Sequence, residues 1–167
     1  MESALGYAMK FIKIAVSIGL IISFIGACTK SRNGSESGAQ NGGPALLGND
    51  SNHNGIRDDI DDYIKKRIKE SEKKTAALNQ LAENLQTSFA VMNDEAKSII
   101  EAKKTEAAMN CIWAIFGESI GNYEMELLTS EQYNTLDRSL AAMKLVKYAS
   151  KAGFTFPDES EWIKDCR

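Results

Sequence analysis

Histidine occurs once in these 167 residues, as His53, and proline only twice. One histidine argues against histidine metal clusters and against His-based catalytic triads within a single chain. Basic charge is not in surplus either, since 20 Lys and Arg face 23 Asp and Glu, a formal net charge of −3. A nucleic-acid binder that neutralises phosphates needs a basic excess on at least one face, so no nucleic-acid partner is expected. No Gly-rich phosphate loop and no H-E-x-x-H pattern is present. With 26% charged residues and little proline the chain is neither collagen-like nor disordered throughout. The length suits one domain with appendages. Composition thus points away from an enzyme.

The first thirty residues differ chemically from the rest. Lys10 and Lys13 supply positive charge, and residues 14–27 then run without any charge. As a helix at ~1.5 Å per residue that run is roughly 21 Å long, short of the ~30 Å hydrocarbon core. A basic start, a short apolar run and small residues at its end describe a secretory signal. The run closes on Ile25-Gly26-Ala27-Cys28. This resembles the lipobox of bacterial lipoproteins, an aliphatic residue, two small ones and a cysteine. The resemblance implies a diacylglyceryl group on the Cys28 thiol, cleavage before it, and acylation of the new amino terminus. More than one acyl chain is needed for durable anchoring. Glu2 and its neighbours are atypical of a signal start, and Met9-Lys10-Phe11-Ile12-Lys13 would be a more ordinary one. Taking two lysines and one glutamate away with residues 1–27 leaves 18 basic and 22 acidic residues, a net −4. Thr29 stands where the family's inner-membrane retention signal has Asp. In a Gram-negative cell that leans toward the outer membrane, facing the periplasm or the cell surface.

Residues 29–49 contain five Gly, three Ser, three Asn and one Pro without any helical or strand period. Such a stretch buries too little apolar surface to offset its ordering entropy. Residues 28–49 therefore read as lipidated cysteine plus flexible linker, about 25 Å in root-mean-square reach. Ala45-Leu46-Leu47 is its one apolar patch, placed to dock where the domain begins.

Residues 50–61 read Asp50-Ser51-Asn52-His53-Asn54-Gly55-Ile56-Arg57-Asp58-Asp59-Ile60-Asp61. Oxygen-bearing side chains fall at positions 1, 3, 5, 9 and 12, with glycine at 6. A hard cation such as Ca²⁺ takes six to eight oxygens, and this spacing turns alternate side chains inward while the backbone bends. The expected ligands are Asp50, Asn52, Asn54, the Ile56 carbonyl, Asp58 and Asp61. The pattern resembles the D-x-[DN]-x-[DN]-G calcium loops, closer to the thrombospondin type-3 and dockerin kind than to a paired EF-hand. Position 12 is Asp, shorter than the usual Glu, and no entering helix is legible upstream. Three charged ligands imply a modest affinity, near 10⁻⁴–10⁻³ M. The competing reading is a plain turn, with Asn54 as helix cap and Asp58, Asp59, Asp61 and Asp62 at a positive helix start. His53 points outward in either case.

From Ile60 onward the pattern is helical. Ile60, Ile64, Ile68, Leu78, Leu85, Phe89 and Met92 form one stripe opposite a lysine-rich face, up to a break at Asn93-Asp94. A second helix is expected from 95 to 116, with Ala96, Ile99, Ile100, Cys111, Ile112 and Ile115 inward. A third would begin at Thr129 or Ser130, capped as Thr129-x-x-Gln132, with Tyr133, Leu136, Leu140 and Met143 inward and a stop near Gly153. Asp158 would cap a last short helix with Trp162 and Ile163. The expected fold of residues 62–167 is all-α, a small antiparallel bundle of three to four helices. With Cys28 lipidated, Cys111 and Cys166 remain, an even count that suits a disulfide in an oxidising compartment.

Two functions are in play. One is a lipid-anchored envelope protein with a Ca²⁺ loop, a binding or structural module for another macromolecule. The other is an inhibitor or immunity-type lipoprotein that grips a protein toxin or enzyme without calcium.

Overall fold

The structure, a computed structural model, describes residues 44–155 and 157–167. The lipobox, Cys28 and the first part of the linker lie outside the described residues. What is described belongs to a compact unit spanning Gly38–Arg167, and it is all-helical. Six α-helices follow in order: α1 (Pro44–Leu47), α2 (Asp58–Arg67), α3 (Glu72–Val91), α4 (Glu95–Phe116), α5 (Glu118–Gln132) and α6 (Leu136–Ala152). A 3₁₀ helix, Glu159–Asp165, ends the chain. Among the described residues no helix is long and apolar enough to cross a membrane.

The long stripe from Ile60 to Met92 is cut in two. Residue Ile68 leaves helical geometry at φ −111° and ψ 106°, and Ser71 caps α3 by accepting from the Lys74 N–H at 3.3 Å. A serine followed by charged residues satisfies a helix start better than a helix interior, which is why the break falls there. Helix α4 runs over 95–116 as expected, with Asp94 accepting from the Lys97 N–H at 3.1 Å. Its inward face is in part different, because Ala96 and Ile100 are exposed and Ser98, Glu101 and Ala102 are buried. The helix expected to begin at Thr129 does not begin there. Thr129 sits inside α5 with its hydroxyl donating to the Met125 carbonyl at 2.6 Å, and Thr135 is the cap of α6, accepting from the Arg138 N–H. Gly121 is the reason α5 can start so early and lie so close. A Cβ there would come within 3.0 Å of Trp113 Cδ1 and 3.2 Å of Ile112 Cγ2, so this glycine permits a helix contact rather than ending a helix.

The core holds Ile60 and Ile64 from α2, Leu78, Leu81, Leu85 and Phe89 from α3, Ile112 and Phe116 from α4, and Leu128 from α5. Leu46 of α1 packs with Phe89, Met92 and Ala141, so the end of the linker is part of the fold. Cys111 and Cys166 form a disulfide, with Cα atoms 4.8 Å apart. It holds the C-terminal segment on α3 and α4, where Gln80 donates to the Asp165 carbonyl at 2.8 Å and Trp162 packs against Trp113, ring centroids 5.3 Å apart and tilted by 45°. The unit has its own core, caps and cross-link, which is what independent folding requires.

Candidate metal centre

The loop over 50–61 joins the end of the linker to α2. Gly55 takes φ +82° and His53 φ +56°, and these two left-handed residues fold the backbone back over a tight turn. Asp50 closes the turn from inside, one carboxylate oxygen accepting from the Asn54 N–H at 3.1 Å and the other from the Gly55 N–H at 2.9 Å. Asn52 Oδ1 accepts from the Asn54 N–H at 3.0 Å, and Asn54 Oδ1 from the Ile56 N–H at 2.8 Å. Both asparagine amides then donate to one atom, Asp61 Oδ2, at 2.9 and 2.8 Å. Asp61 itself is buried and α2 delivers it from below. Among the described residues its one cationic partner is the Lys65 ammonium at 3.7 Å, on an exposed side chain.

Asp50, Asn52, Asn54 and Asp61 are therefore one hydrogen-bonded group. Ile56 is buried. Asp58 is not in that group. Its carboxylate accepts from the Ser51 N–H at 2.8 Å, the Ser51 hydroxyl at 2.7 Å and the Asn49 amide at 2.6 Å. These donors hold its carboxyl below the ordinary value of 3.8, the Ser51 N–H most of all. Asn54 does not cap α2. The cap position is Arg57, without a side-chain cap bond, and Asn54 spends its oxygen within the loop.

Two carboxylates stand in the group, not three, and among the described residues no cluster of three or more His, Cys, Asp and Glu side chains could hold a metal ion. A hard cation here would draw on both carboxylates, the two amide oxygens and a backbone carbonyl, with water completing the shell. That donor set fits Ca²⁺ chemically but carries little charge. His53 is exposed at the rim.

Arg57 is the buried charge beside the loop that helical periodicity could not expose. Its buried guanidinium binds Asp59 in a two-armed pair and donates to the carbonyls of Gln132 at 3.2 Å and Glu131 at 3.0 Å. A cation on the last carbonyls of α5 satisfies them and meets the negative end of its dipole. The loop is thereby fixed to the bundle. Arg67 makes a second link, bidentate to Glu124 on α5 at 2.7 and 2.9 Å.

No family model, curated protein or solved structure matches this chain. A shallow recess of about 310 Å³ between α4 and the 3₁₀ helix is lined by polar groups that satisfy one another, Lys103 paired with Glu106 at 3.2 Å and the Asn110 amide donating to Asp165 at 2.8 Å.

Proposed function

We propose that this chain is a lipid-anchored protein of a bacterial envelope, a binding and structural module rather than an enzyme, whose 50–61 loop takes Ca²⁺. The observation that carries the calcium reading is Asp61, a buried carboxylate whose negative charge is met inside the loop only by the two neutral amides of Asn52 and Asn54. Neutral donors stabilise a buried carboxylate less than a cation does. Asp50, Asn52, Asn54, the Ile56 carbonyl and Asp61 would hold the ion, and Asp58 would keep the loop closed through Ser51 and Asn49, a role different from the ligand its spacing suggests. The ion would tie the linker's end to α2 and stabilise the fold where the anchor's pull is transmitted. The anchor reading rests on Ile25-Gly26-Ala27-Cys28, and the disulfide supports an oxidising compartment.

Calcium titration of a soluble 28–167 chain carrying Cys28→Ser tests the loop. At ten times Kd the gain is about 1.4 kcal/mol, a rise of a few degrees in melting temperature, and EDTA reverses it. Asp50→Ala abolishes the response, and Mg²⁺ replaces Ca²⁺ poorly because it demands tight octahedral geometry. No heat and no melting shift up to ~10 mM Ca²⁺ would return the loop to a plain turn. A single envelope protein co-purifying in EDTA would favour the inhibitor or immunity-type alternative.

A further inference from the structure

Helix α6 carries an apolar face on the wrong side for the core. The spacing of Leu136, Leu140 and Met143 predicts an inward face, yet with Val146 they are 48% to 69% exposed, while Arg138, Ala141 and Ala142 face the bundle. The four lie on one side of a helix roughly 25 Å long. That strip is a few hundred Å² at most, well short of the ~800 Å² per partner that a stable protein interface buries. Lys144 stands at its edge and donates to the Asn93 amide oxygen at 2.8 Å, and Lys147 stands at its C-terminal end; neither has a carboxylate partner among the described residues. Asp137 is the one acidic residue on the helix.

The chain leading to Cys28 reaches the fold on this same helix. Leu46 packs on Ala141, and Arg138 Nε donates to the Leu46 carbonyl at 2.9 Å. Fifteen residues, 29–43, separate Cys28 from α1. Fifteen residues of any sequence span at most ~50 Å. Whatever holds Cys28 is thus covalently tethered, through these fifteen residues, to the chain that packs on α6.

We infer that the outer face of α6 docks on an anionic lipid bilayer, with Leu136, Leu140, Met143 and Val146 at the acyl boundary and Lys144 and Lys147 on the headgroup phosphates. This rests on the lipid-anchor reading above. Amphipathic helices of this kind bind in the interface through buried apolar area plus attraction to anionic lipid. Tethering turns a weak contact into an intramolecular one at high effective concentration.

Cys28 is the single thiol outside the disulfide, so the 28–167 chain can be coupled through it to a maleimide lipid in phosphatidylglycerol-containing vesicles. Hydrogen exchange of residues 136–152 should slow about tenfold on coupling, as a face docked nine-tenths of the time requires. Leu140→Asp with Met143→Asp should remove the slowing while circular dichroism and melting stay unchanged. Lys144→Glu with Lys147→Glu should remove it on anionic vesicles only. Unchanged exchange on coupling overturns the docking. So does protection that grows with protein concentration without vesicles, which assigns the face to a second copy. Because the coupling is chemical, the anchor reading is tested apart from it: a Cys28 peptide from cells at the mass of a free thiol overturns that reading alone.

Discussion

Asp58 and Asp59 sit side by side and have opposite tasks. Asp58 holds the linker's end by accepting from Ser51 and Asn49, and Asp59 neutralises the buried Arg57. Both carboxyls lie below their ordinary value of 3.8, through the Ser51 N–H in one case and the Arg57 guanidinium in the other. A depressed folded-state value means stability that is fully present above the ordinary carboxylate range and is lost as pH falls through the folded value. Melting temperature should therefore hold down to about pH 4 and decline below it, and Asp59→Asn should flatten that decline. The same two residues separate ligand from latch. Asp58→Asn, which keeps an acceptor for the Ser51 N–H, should lower melting temperature in EDTA by a degree or two and leave the calcium-induced rise in place, whereas Asp61→Asn should remove the rise. Differential scanning calorimetry with and without Ca²⁺ reads both.

At the scale of the helix, α5 and α6 show how caps and close contacts set boundaries. Thr135 caps α6 by accepting from the Arg138 N–H, and loss of a threonine cap costs about 1 kcal/mol. Thr129, inside α5, only bonds back to Met125. Thr135→Ala should therefore lower stability by about 1 kcal/mol and Thr129→Ala by much less, read from urea midpoints. Gly121 gives the sharper contrast. In an exposed helix Gly→Ala stabilises by up to ~1 kcal/mol, but here the new methyl would press on Trp113 and Ile112. Gly121→Ala should destabilise, and Gly121→Val more so, because the indole is fixed by Trp162 on one side and by Asn122 at 2.8 Å on its N–H.

For the molecule as a whole, the Cys111–Cys166 bridge closes a loop of 55 residues in sequence separation. Chain entropy assigns such a bridge roughly 4 kcal/mol, a large part of the stability of a small domain. Reduction should lower the melting temperature by more than ~10 °C. It should also free the C-terminal segment from Gln80 and Trp113, seen as a red shift in tryptophan emission. A reduced chain that melts like the oxidised one would remove the bridge from the stability of the fold.

Local chemistry was enough for the helical class, the Asp94 start and Phe116 end of α4 and the stop at Gly153, because caps and breakers act within a few residues. The oxygen spacing of the 50–61 loop was legible for the same reason, and Asp50, Asn52, Asn54 and Asp61 do come together. What tertiary structure decided is which face of each helix is inside. Leu136, Leu140 and Met143 have a core-like spacing, but α6 packs through Ala141 and Ala142, whose small side chains let it approach Leu46 and Phe89. Arg57 and Arg67 look like surface charges in the sequence. Their partners, the carbonyls of Glu131 and Gln132 and the carboxylate of Glu124, lie 57 to 75 residues away, and no local pattern records a contact that only folding creates.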